Sequence, residues 1–513
     1  MAHVPEAGLI GTWQRAWQRW CNTKHSSRQA ESVTCSASSR GAIKGACSAG
    51  TAKALLLSAL CSAFALPTPF FGLGVEAQES KSTDASTRSP SPAQAPPSQP
   101  PVNRSRRQRL DCTHPADPHR RHIGCKDEEF DWDATLSKAW KGVRKELRAL
   151  GMTPTLSYTG VLQTNATGGP HQVWSYAGQL AAGLDFNLEK SLKVRGMSVY
   201  VGASWGTGSD MSGFLHSLFP VNSIYGPNYY LGEMYLQQIL LDKKLTLVGG
   251  RLGAANTLAT LPVFANYVNY GINPTPYSLG ANDISFFGPP VGTEWGALAL
   301  YDATPLIQVS AGLFNTNPHS ANGEDHGADF ALQQGNKGAL VVGQVSFFPH
   351  QIEQDEGRQS EYSIGFLSDN NSFPDLSGNN NNGGGYWGVF VQGQEQICQP
   401  DGPGTARGLT VWASWAYNSK PVVSPIPVFW GAGASYEGLL PARKKDVISA
   451  GWIYGRVSSS IPSTTAEQVF ELNYNLRIGR FLVFTPDFQY IWKPGGYNVP
   501  GAAVAGIQAR VTF

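Results

Sequence analysis

Many segments of the chain alternate between apolar and polar residues, which is the pattern of a β-strand whose two faces have different surroundings. In the final segment, Ala503, Ile507 and Val511 share one face, whereas Gln508 and Arg510 lie on the other. These segments have ~9–11 residues, the length with which a tilted strand crosses a bilayer. The same alternation recurs over residues 176–189, 409–418, 469–478 and 482–493.

The repeated alternation predicts an all-β fold, a transmembrane antiparallel β-barrel over residues 151–513. At roughly 22 residues for each strand with its connection, this length gives about 16 strands, an even number as in bacterial barrels. A barrel of that size encloses an aqueous channel. For any single segment, a half-buried strand of a soluble sandwich is the alternative. Outer or inward-folded loops are expected over residues 214–230, 256–282, 315–336 and 369–385.

The residues before the barrel are expected to form three regions. Residues 1–77 read as a signal peptide with an upstream start that is assigned too early, because an apolar run from Ala54 to Leu66 follows about 50 other residues. A genuinely extended signal is the alternative. Residues 78–110 are rich in Pro and Ser and are expected to be a disordered linker. Residues 111–150 are expected to hold a Cys-bounded loop and a short periplasmic helix.

Cys112 and Cys125 are predicted to form a disulfide, because export implies an oxidising compartment. A metal site with the His residues of the same loop is the alternative, but the spacing fits no standard zinc pattern, and no metal is expected. Apolar residues at helical spacing predict an amphipathic helix over residues 133–150, with Gly151 as its stop. This helix is expected to dock at the periplasmic mouth of the barrel or to lie on the membrane surface.

The composition suits a wide barrel with a wet interior better than a packed core. Only 15% of the 513 residues are charged, below the roughly 25% of average soluble domains, and 57 are Gly. A net charge of +2 does not indicate nucleic-acid binding. Neither an enzyme nor a cofactor is expected, because no H-E-x-x-H or phosphate-loop motif occurs. Glu471 and Asp487 could act as paired carboxylates on a glycoside, but carboxylates are expected in any aqueous lumen.

Four passages in the last third of the chain carry a resemblance to a known family. They lie within residues 385–396, 408–415, 471–474 and 485–496, and the most specific is Thr-Pro-x-x-Gln-Tyr-Ile ahead of Pro-Gly-Gly. They resemble the carbohydrate-selective porins of the OprB type, and the likeness covers about Thr153 to Phe513. The resemblance implies a 16-stranded outer-membrane channel that passes glucose and other sugars by passive diffusion. Alternation alone supports only a wide porin.

A pore that favours a neutral sugar needs polar donors and acceptors and aromatic faces, and it must bind weakly enough for release. Opposed Arg and carboxylate side chains could form a charged constriction of this kind. Each residue could instead merely solvate the wall. The lumen candidates, with the first two included if Met234, Leu236 and Leu240 face lipid, are Glu233, Gln237, Glu471, Asn473, Arg477, Asp487, Gln489, Gln508 and Arg510.

Two further side chains are candidates for contact with a sugar. Arg251 is the last residue of a stretch, Glu233 to Gln238 followed by Leu247 to Arg251, that resembles the family's strand-turn-strand near the constriction, and its guanidinium suits vicinal hydroxyls. Arg251 shares a face with Leu245 and Leu247 unless Gly249 and Gly250 form a bulge. Trp412 lies on the lumen face of its strand and could stack on a sugar or pack against an inward loop.

The resemblance also implies partners and a location. Sugars are the expected permeants, the bacterial outer membrane is the location, and lipid and lipopolysaccharide are the surroundings. The last strand, which ends at Phe513, resembles the signal read by the barrel-assembly machinery. A monomer and a homotrimer both stay open. A general or anion-selective porin is the alternative within transport, and a β-rich surface carbohydrate-binding protein is the alternative of another class.

Overall fold

The computed structural model describes residues 141–224, 228–281, 292–316, 326–327, 338–349, 359–378, 382–402, 405–479 and 481–513. The predicted signal segment over residues 1–77, the linker over residues 78–110 and the Cys112–Cys125 disulfide lie outside these ranges. The first part of the predicted helix also lies outside them.

Within the described ranges, sixteen antiparallel strands form one closed sheet, in which each strand pairs with its sequence neighbours and β16 pairs with β1. The predicted all-β barrel and its strand number are confirmed. The strands are β1 (Met152–Thr167), β2 (Trp174–Asn187), β3 (Met197–Gly208), β4 (Asn228–Leu240), β5 (Leu245–Leu252), β6 (Glu294–Asp302), β7 (Ile307–Asn315), β8 (Ala339–Phe347), β9 (Glu361–Pro374), β10 (Asn382–Cys398), β11 (Gly408–Asn418), β12 (Val428–Glu437), β13 (Val447–Arg456), β14 (Ala466–Ile478), β15 (Leu482–Trp492) and β16 (Ala502–Thr512).

The alternation in the sequence becomes an inner and an outer face of the barrel. On β16, Ile507 is 41% exposed on the outer face, whereas the inward Val504 and Gln508 are buried. The same difference separates Leu472 from Glu471 on β14. Because a closed barrel leaves no sheet edge, the backbone polar groups of the strands are paired and the outer face can be apolar.

The strands are joined by two kinds of connection at the two ends of the barrel. The chain enters β1 and leaves β16 at one end, where the predicted tight turn before β5 occupies residues 241–244. The other end carries the longest connections, residues 253–293 between β5 and β6, residues 316–338 between β7 and β8, and residues 209–227 between β3 and β4. Outer-membrane barrels have short periplasmic turns and longer outer loops, so the end with the termini is the periplasmic end.

Helices are few and short in the described residues. α1 (Lys141–Ala149) precedes β1 and confirms the described part of the predicted helix. Gly151 ends it at a φ of 86°, and a Cβ there would lie 2.6 Å from the carbonyl oxygen of Asn187, so glycine is required. The others are α2 (Leu188–Leu192), α3 (Met211–Leu215) and α4 (Tyr277–Gly280). In the part of the chain that the structure describes, no helix has the length and apolar character of a membrane span.

The interior of the barrel is less polar than the sequence indicates. Inward side chains such as Phe429, Ile453 and Val469 join a buried apolar cluster with Leu261 and Phe264. The last two residues belong to the connection between β5 and β6. The apolar inward positions are therefore those that a loop covers, and alternation within a strand cannot show this.

Candidate pore and its constriction

The connection between β5 and β6, named here the β5–β6 loop (residues 253–293), folds into the lumen. Leu258, Leu261 and Phe264 are almost completely buried, although the loop starts at the outer end of the barrel. Their neighbours are inward-facing side chains of the strands rather than lipid-facing ones. The loop therefore narrows the channel over its described part, residues 253–281 and 292–293.

Side-chain amides of one wall hold the first half of this loop. Gln344 on β8 accepts a hydrogen bond from the Ala259 amide at 2.8 Å, and Gln394 on β10 accepts one from the Val263 amide at 2.9 Å. Buried backbone amides need such partners, because an unmade hydrogen bond costs about 1–3 kcal/mol. The wall thus replaces the water that would otherwise solvate the loop backbone.

Trp412 packs against the β5–β6 loop, which is one of its two predicted roles. Its indole nitrogen donates to the Tyr267 hydroxyl at 2.8 Å, and its ring meets Phe264 edge-on at a centroid distance of 5.1 Å. Gly433 and Gly451 make room for these rings, because a Cβ on Gly433 would lie 2.6 Å from the Trp412 indole nitrogen, and one on Gly451 would lie 2.7 Å from Tyr267. The side chain of Trp412 is only 4% exposed.

The structure brings four predicted lumen residues together on β14 and β15, in a set that we name the amide–carboxylate ladder: Glu471, Asn473, Asp487 and Gln489. Glu471 accepts the Val268 amide at 2.7 Å and the Asn269 amide at 3.0 Å, while Asn473 donates to Glu471 at 2.5 Å. Gln489 donates to Asp487 at 2.8 Å and accepts from the Asn269 side chain at 2.8 Å.

The ladder therefore holds the middle of the β5–β6 loop on a part of the wall, β14 and β15, that is separate from β8 and β10. All four side chains are buried and lie on the inward face. Contact between a sugar and these side chains stays a prediction. All four form hydrogen bonds with the loop or with each other, although the Oδ1 atom of Asp487 has no hydrogen-bond partner among the described residues.

A second loop enters the lumen and depends on a residue that the sequence analysis missed. Glu467 on β14 accepts hydrogen bonds from the Ser217 hydroxyl and from the amides of Leu218, Phe219 and Gly495, at 2.5–2.8 Å. It thus joins the connection between β3 and β4 (the β3–β4 loop, residues 209–227) to the connection before β16. Extending the alternation of β14 by one step beyond Val469 would have placed Glu467 on the lumen face.

Three predicted residues lie on the opposite part of the wall. Glu233 is 3% exposed and accepts a hydrogen bond from Asn256 of the β5–β6 loop, and Gln237 is half-buried on β4. Arg251 pairs with Met234 and with Trp295 in unbroken registers, so no bulge at Gly249 or Gly250 moves it off the face of Leu245 and Leu247.

The guanidinium of Arg251 is buried and bonded. It donates to the Thr293 hydroxyl at 3.2 Å, to the Tyr230 hydroxyl at 2.9 Å and to the Gly327 carbonyl. It also lies over the Tyr230 ring at 5.4 Å. Arg251 therefore joins strand β4 to two outer loops, and contact between its guanidinium and a sugar stays a prediction.

Arg477 and Arg510 are half-buried at inward positions toward the periplasmic end. The nearby carboxylate of Asp446 precedes β13 and receives Arg443 Nε at 2.7 Å, the Tyr474 hydroxyl at 2.7 Å and the Arg477 amide at 3.0 Å. Burial by itself raises the pKa of Asp446, but these donors outweigh it and hold the pKa below its usual range. In the described part of the chain, no group of three side chains could hold a metal ion.

A closed barrel of sixteen strands with loops folded into an otherwise aqueous lumen is the architecture of a porin. The family model described as "Carbohydrate-selective porin, OprB family" matches residues 171–513. The chain belongs to this family and is an outer-membrane porin for sugars. The resemblance found in the sequence is confirmed. The family consists of channels, which is consistent with the expectation that the chain is not an enzyme.

Individual relatives agree with this assignment. The chain is 25% identical over 422 residues to Porin B of Pseudomonas aeruginosa, which covers 73% of this chain and 90% of the relative. It is 24% identical over 417 residues to the putative porin QuiX of Acinetobacter baylyi, and the match covers 73% of this chain and 92% of the relative. The structure of OprB from Pseudomonas putida at high pH has a TM-score of 0.68 and 23% identity, covers 74% of this chain and 98% of that one, and shares its fold.

Proposed function

We propose that sugars diffuse passively through the channel that the β5–β6 loop narrows, and that the predicted lumen residues divide into two groups. The first group binds the loops: Glu233, Trp412, Glu471, Asn473 and Gln489 set the width of the channel from its inner face, whereas Arg251, on the face of Leu245 and Leu247, holds outer loops in place. The second group contacts the permeant: Gln237, Arg477, Asp487 and Arg510. The guanidinium and carboxylate groups of the second group, on the neighbouring strands β14, β15 and β16, form a charged constriction with many hydrogen-bonding sites.

The observation that carries this proposal is the β5–β6 loop itself, held across the lumen by buried amides and carboxylates. A loop with so many anchors keeps a fixed width, so a ringed molecule can be selected by its size. The inward Asp487 supplies an acceptor without a partner among the described residues, and a hydroxyl-rich permeant offers donors. Glucose and similar monosaccharides match these requirements.

Liposome swelling tests the proposal directly. Liposomes that contain the protein should swell faster in glucose than in neutral amino acids of equal size, since the lumen offers hydrogen bonds to hydroxyl groups. Equal swelling rates would favour a general diffusion porin. Planar-bilayer recordings with a panel of sugars as blockers then rank the permeants, and a current that no sugar reduces would contradict binding in the constriction.

We further propose that the barrel-assembly machinery reads the C-terminal strand at Phe513. The Phe513 amide donates to the Leu156 carbonyl at 2.9 Å, so the last residue closes the seam between β16 and β1. The outer face of the barrel would contact lipid, and lipopolysaccharide at its outer end. Whether the protein is a monomer or a homotrimer is tested by cross-linking in native membranes.

A further inference from the structure

The two ends of the barrel differ sharply in basic residues. The seven connections at the periplasmic end together hold eleven Lys or Arg in 51 residues. The eight connections at the outer end hold three in 123 residues, and the β5–β6 loop and the β3–β4 loop hold none. Lumen chemistry does not explain this difference, because the periplasmic turns lie outside the constriction.

Three periplasmic turns repeat one local composition, in which exposed aliphatic side chains adjoin exposed Lys or Arg. We name these turns the basic rim; they are residues 188–196, 241–244 and 438–446. Leu192 is 68% exposed beside Lys193, and Leu241 is 61% exposed in the turn that contains Lys243 and Lys244. In the third turn Leu439 and Leu440 are exposed and precede Lys444 and Lys445.

The aliphatic side chains of the basic rim continue the lipid-facing surface of the barrel. Leu236 and Leu240, on the outer face of β4, are exposed like other lipid-facing residues, and Leu241 follows them directly. Exposed aliphatic side chains in water are unfavourable, but at a bilayer surface they enter the acyl region. Lys side chains beside them keep their stems in the apolar layer and extend their ammonium groups to the headgroups.

The three turns of the basic rim hold eight Lys or Arg and three Asp or Glu, so their net charge is positive and selects the kind of headgroup. Lys and Arg next to a membrane surface attract anionic lipid and gain little from a zwitterionic one. α1 lies at the same end and carries Lys145 and Arg148, and its Val143 and the adjoining Leu150 are exposed. An acidic soluble partner would satisfy the charges but would leave the Leu side chains of all three turns in water.

We propose that the basic rim binds the headgroups of anionic phospholipid in the periplasmic leaflet, with its Leu side chains among the acyl chains. This surface is distinct from the sugar pathway, and it fixes the depth of the barrel in the membrane at the end where its turns are short. The outer end, with three basic residues, takes no part in it.

Native mass spectrometry of the full protein in detergent, titrated with phosphatidylglycerol or phosphatidylcholine, tests this. The wild type should bind phosphatidylglycerol more tightly than phosphatidylcholine. The double variant Lys243→Gln/Lys244→Gln should weaken that binding by roughly five-fold for each Lys removed. The matched control is Lys420→Gln/Lys493→Gln, which removes the same charge from the outer end and should leave phosphatidylglycerol binding unchanged.

A second double variant distinguishes the binding of a lipid from the binding of a partner that makes only ionic contacts. Leu192→Ser/Leu241→Ser keeps every charge and should also weaken phosphatidylglycerol binding. Equal affinity of the wild type for both lipids would overturn the proposal. An equal loss of phosphatidylglycerol binding in the Lys243→Gln/Lys244→Gln variant and in the Lys420→Gln/Lys493→Gln variant would also overturn it. Unchanged binding in the Leu variant would overturn it in favour of a purely ionic partner. All variants should retain the sugar-dependent currents of the wild type, because none lies in the lumen.

Discussion

Glu471 illustrates how a residue of the right type, on the right face, can act indirectly. Its carboxylate lies on the inward face, as its position in the strand predicts, but it binds the backbone of the β5–β6 loop. A carboxylate that receives two amides and an Asn side chain is a fixed support, since hydrogen bonds to a charged group are worth ~1.5–3 kcal/mol each. Through this support, Glu471 determines how far the loop extends into the channel.

Glu471→Gln should therefore loosen the loop without unfolding the barrel. The new side chain has one acceptor oxygen, so its amide group would oppose either the Val268 or the Asn269 amide, at a cost of about 2 kcal/mol. We expect a larger mean conductance and weaker block by sugars in planar bilayers. The control is Glu395→Gln, which changes a carboxylate on β10 that accepts from Tyr362 in an exposed pair. Wild-type currents in Glu471→Gln would show that the loop does not depend on this anchor.

The lowered pKa of Asp446 predicts how the stability of the protein depends on pH. Its pKa is lowered in the folded protein, so its contribution to stability is present at pH values above the unfolded pKa and is lost as pH falls through the folded pKa. Asp446→Asn should cost about 2 kcal/mol at pH 7, because the bidentate Arg443 contact is weakened. Thermal unfolding in detergent should show this difference shrinking below pH 4, and a difference that grows on acidification would contradict the assignment.

At the scale of elements, the packing of the β5–β6 loop depends on glycines at inward positions of two strands. Inward glycines on β12 and β13 let the rings of Trp412 and Tyr267 approach the sheet backbone closely. Tyr267 also donates toward the carbonyls of Ala434 and Ala450 at 3.0–3.2 Å. Packing between a loop and a strand at this distance tolerates no added methyl group, so the glycines are as necessary as the aromatic rings.

Gly451→Val should disturb the loop from the side of the wall. Its Cβ would lie 2.7 Å from Tyr267 and 3.1 Å from Ile272, and overpacking of this kind costs about 1–3 kcal/mol. We expect a lower unfolding temperature and more open-channel current noise. Gly343→Val is the matched control, because a Cβ there meets nothing within 4 Å. If both variants behaved alike, the close approach at Gly451 would have no consequence for the pore.

At the scale of the whole molecule, the barrel closes at the seam between β1 and β16. Their register runs from Ser157 opposite Thr512 to Thr167 opposite Ala503, with one irregularity near its outer end. Phe513 extends the seam by one hydrogen bond to Leu156. Closure removes every free sheet edge, so a weakness at this seam affects the entire sheet.

Deletion of Phe513 should impair assembly in the outer membrane more than it impairs stability after folding. The seam would lose one hydrogen bond, worth about 1 kcal/mol, and the residue proposed as the assembly signal. The amount of heat-modifiable protein in outer-membrane fractions measures assembly, and refolding into detergent without the machinery serves as the control. Normal amounts in the membrane would remove Phe513 from this role.

The sequence by itself determined the barrel, its strand number and the two faces of each strand. Those properties follow from alternation within ten residues, as on β16, and from the total length. Only the tertiary structure decided what Trp412, Glu467 and Glu471 contact, because their partners come from loops about 145 to 250 residues away along the chain. Local patterns report the face of a residue, whereas its partner depends on where a distant segment packs.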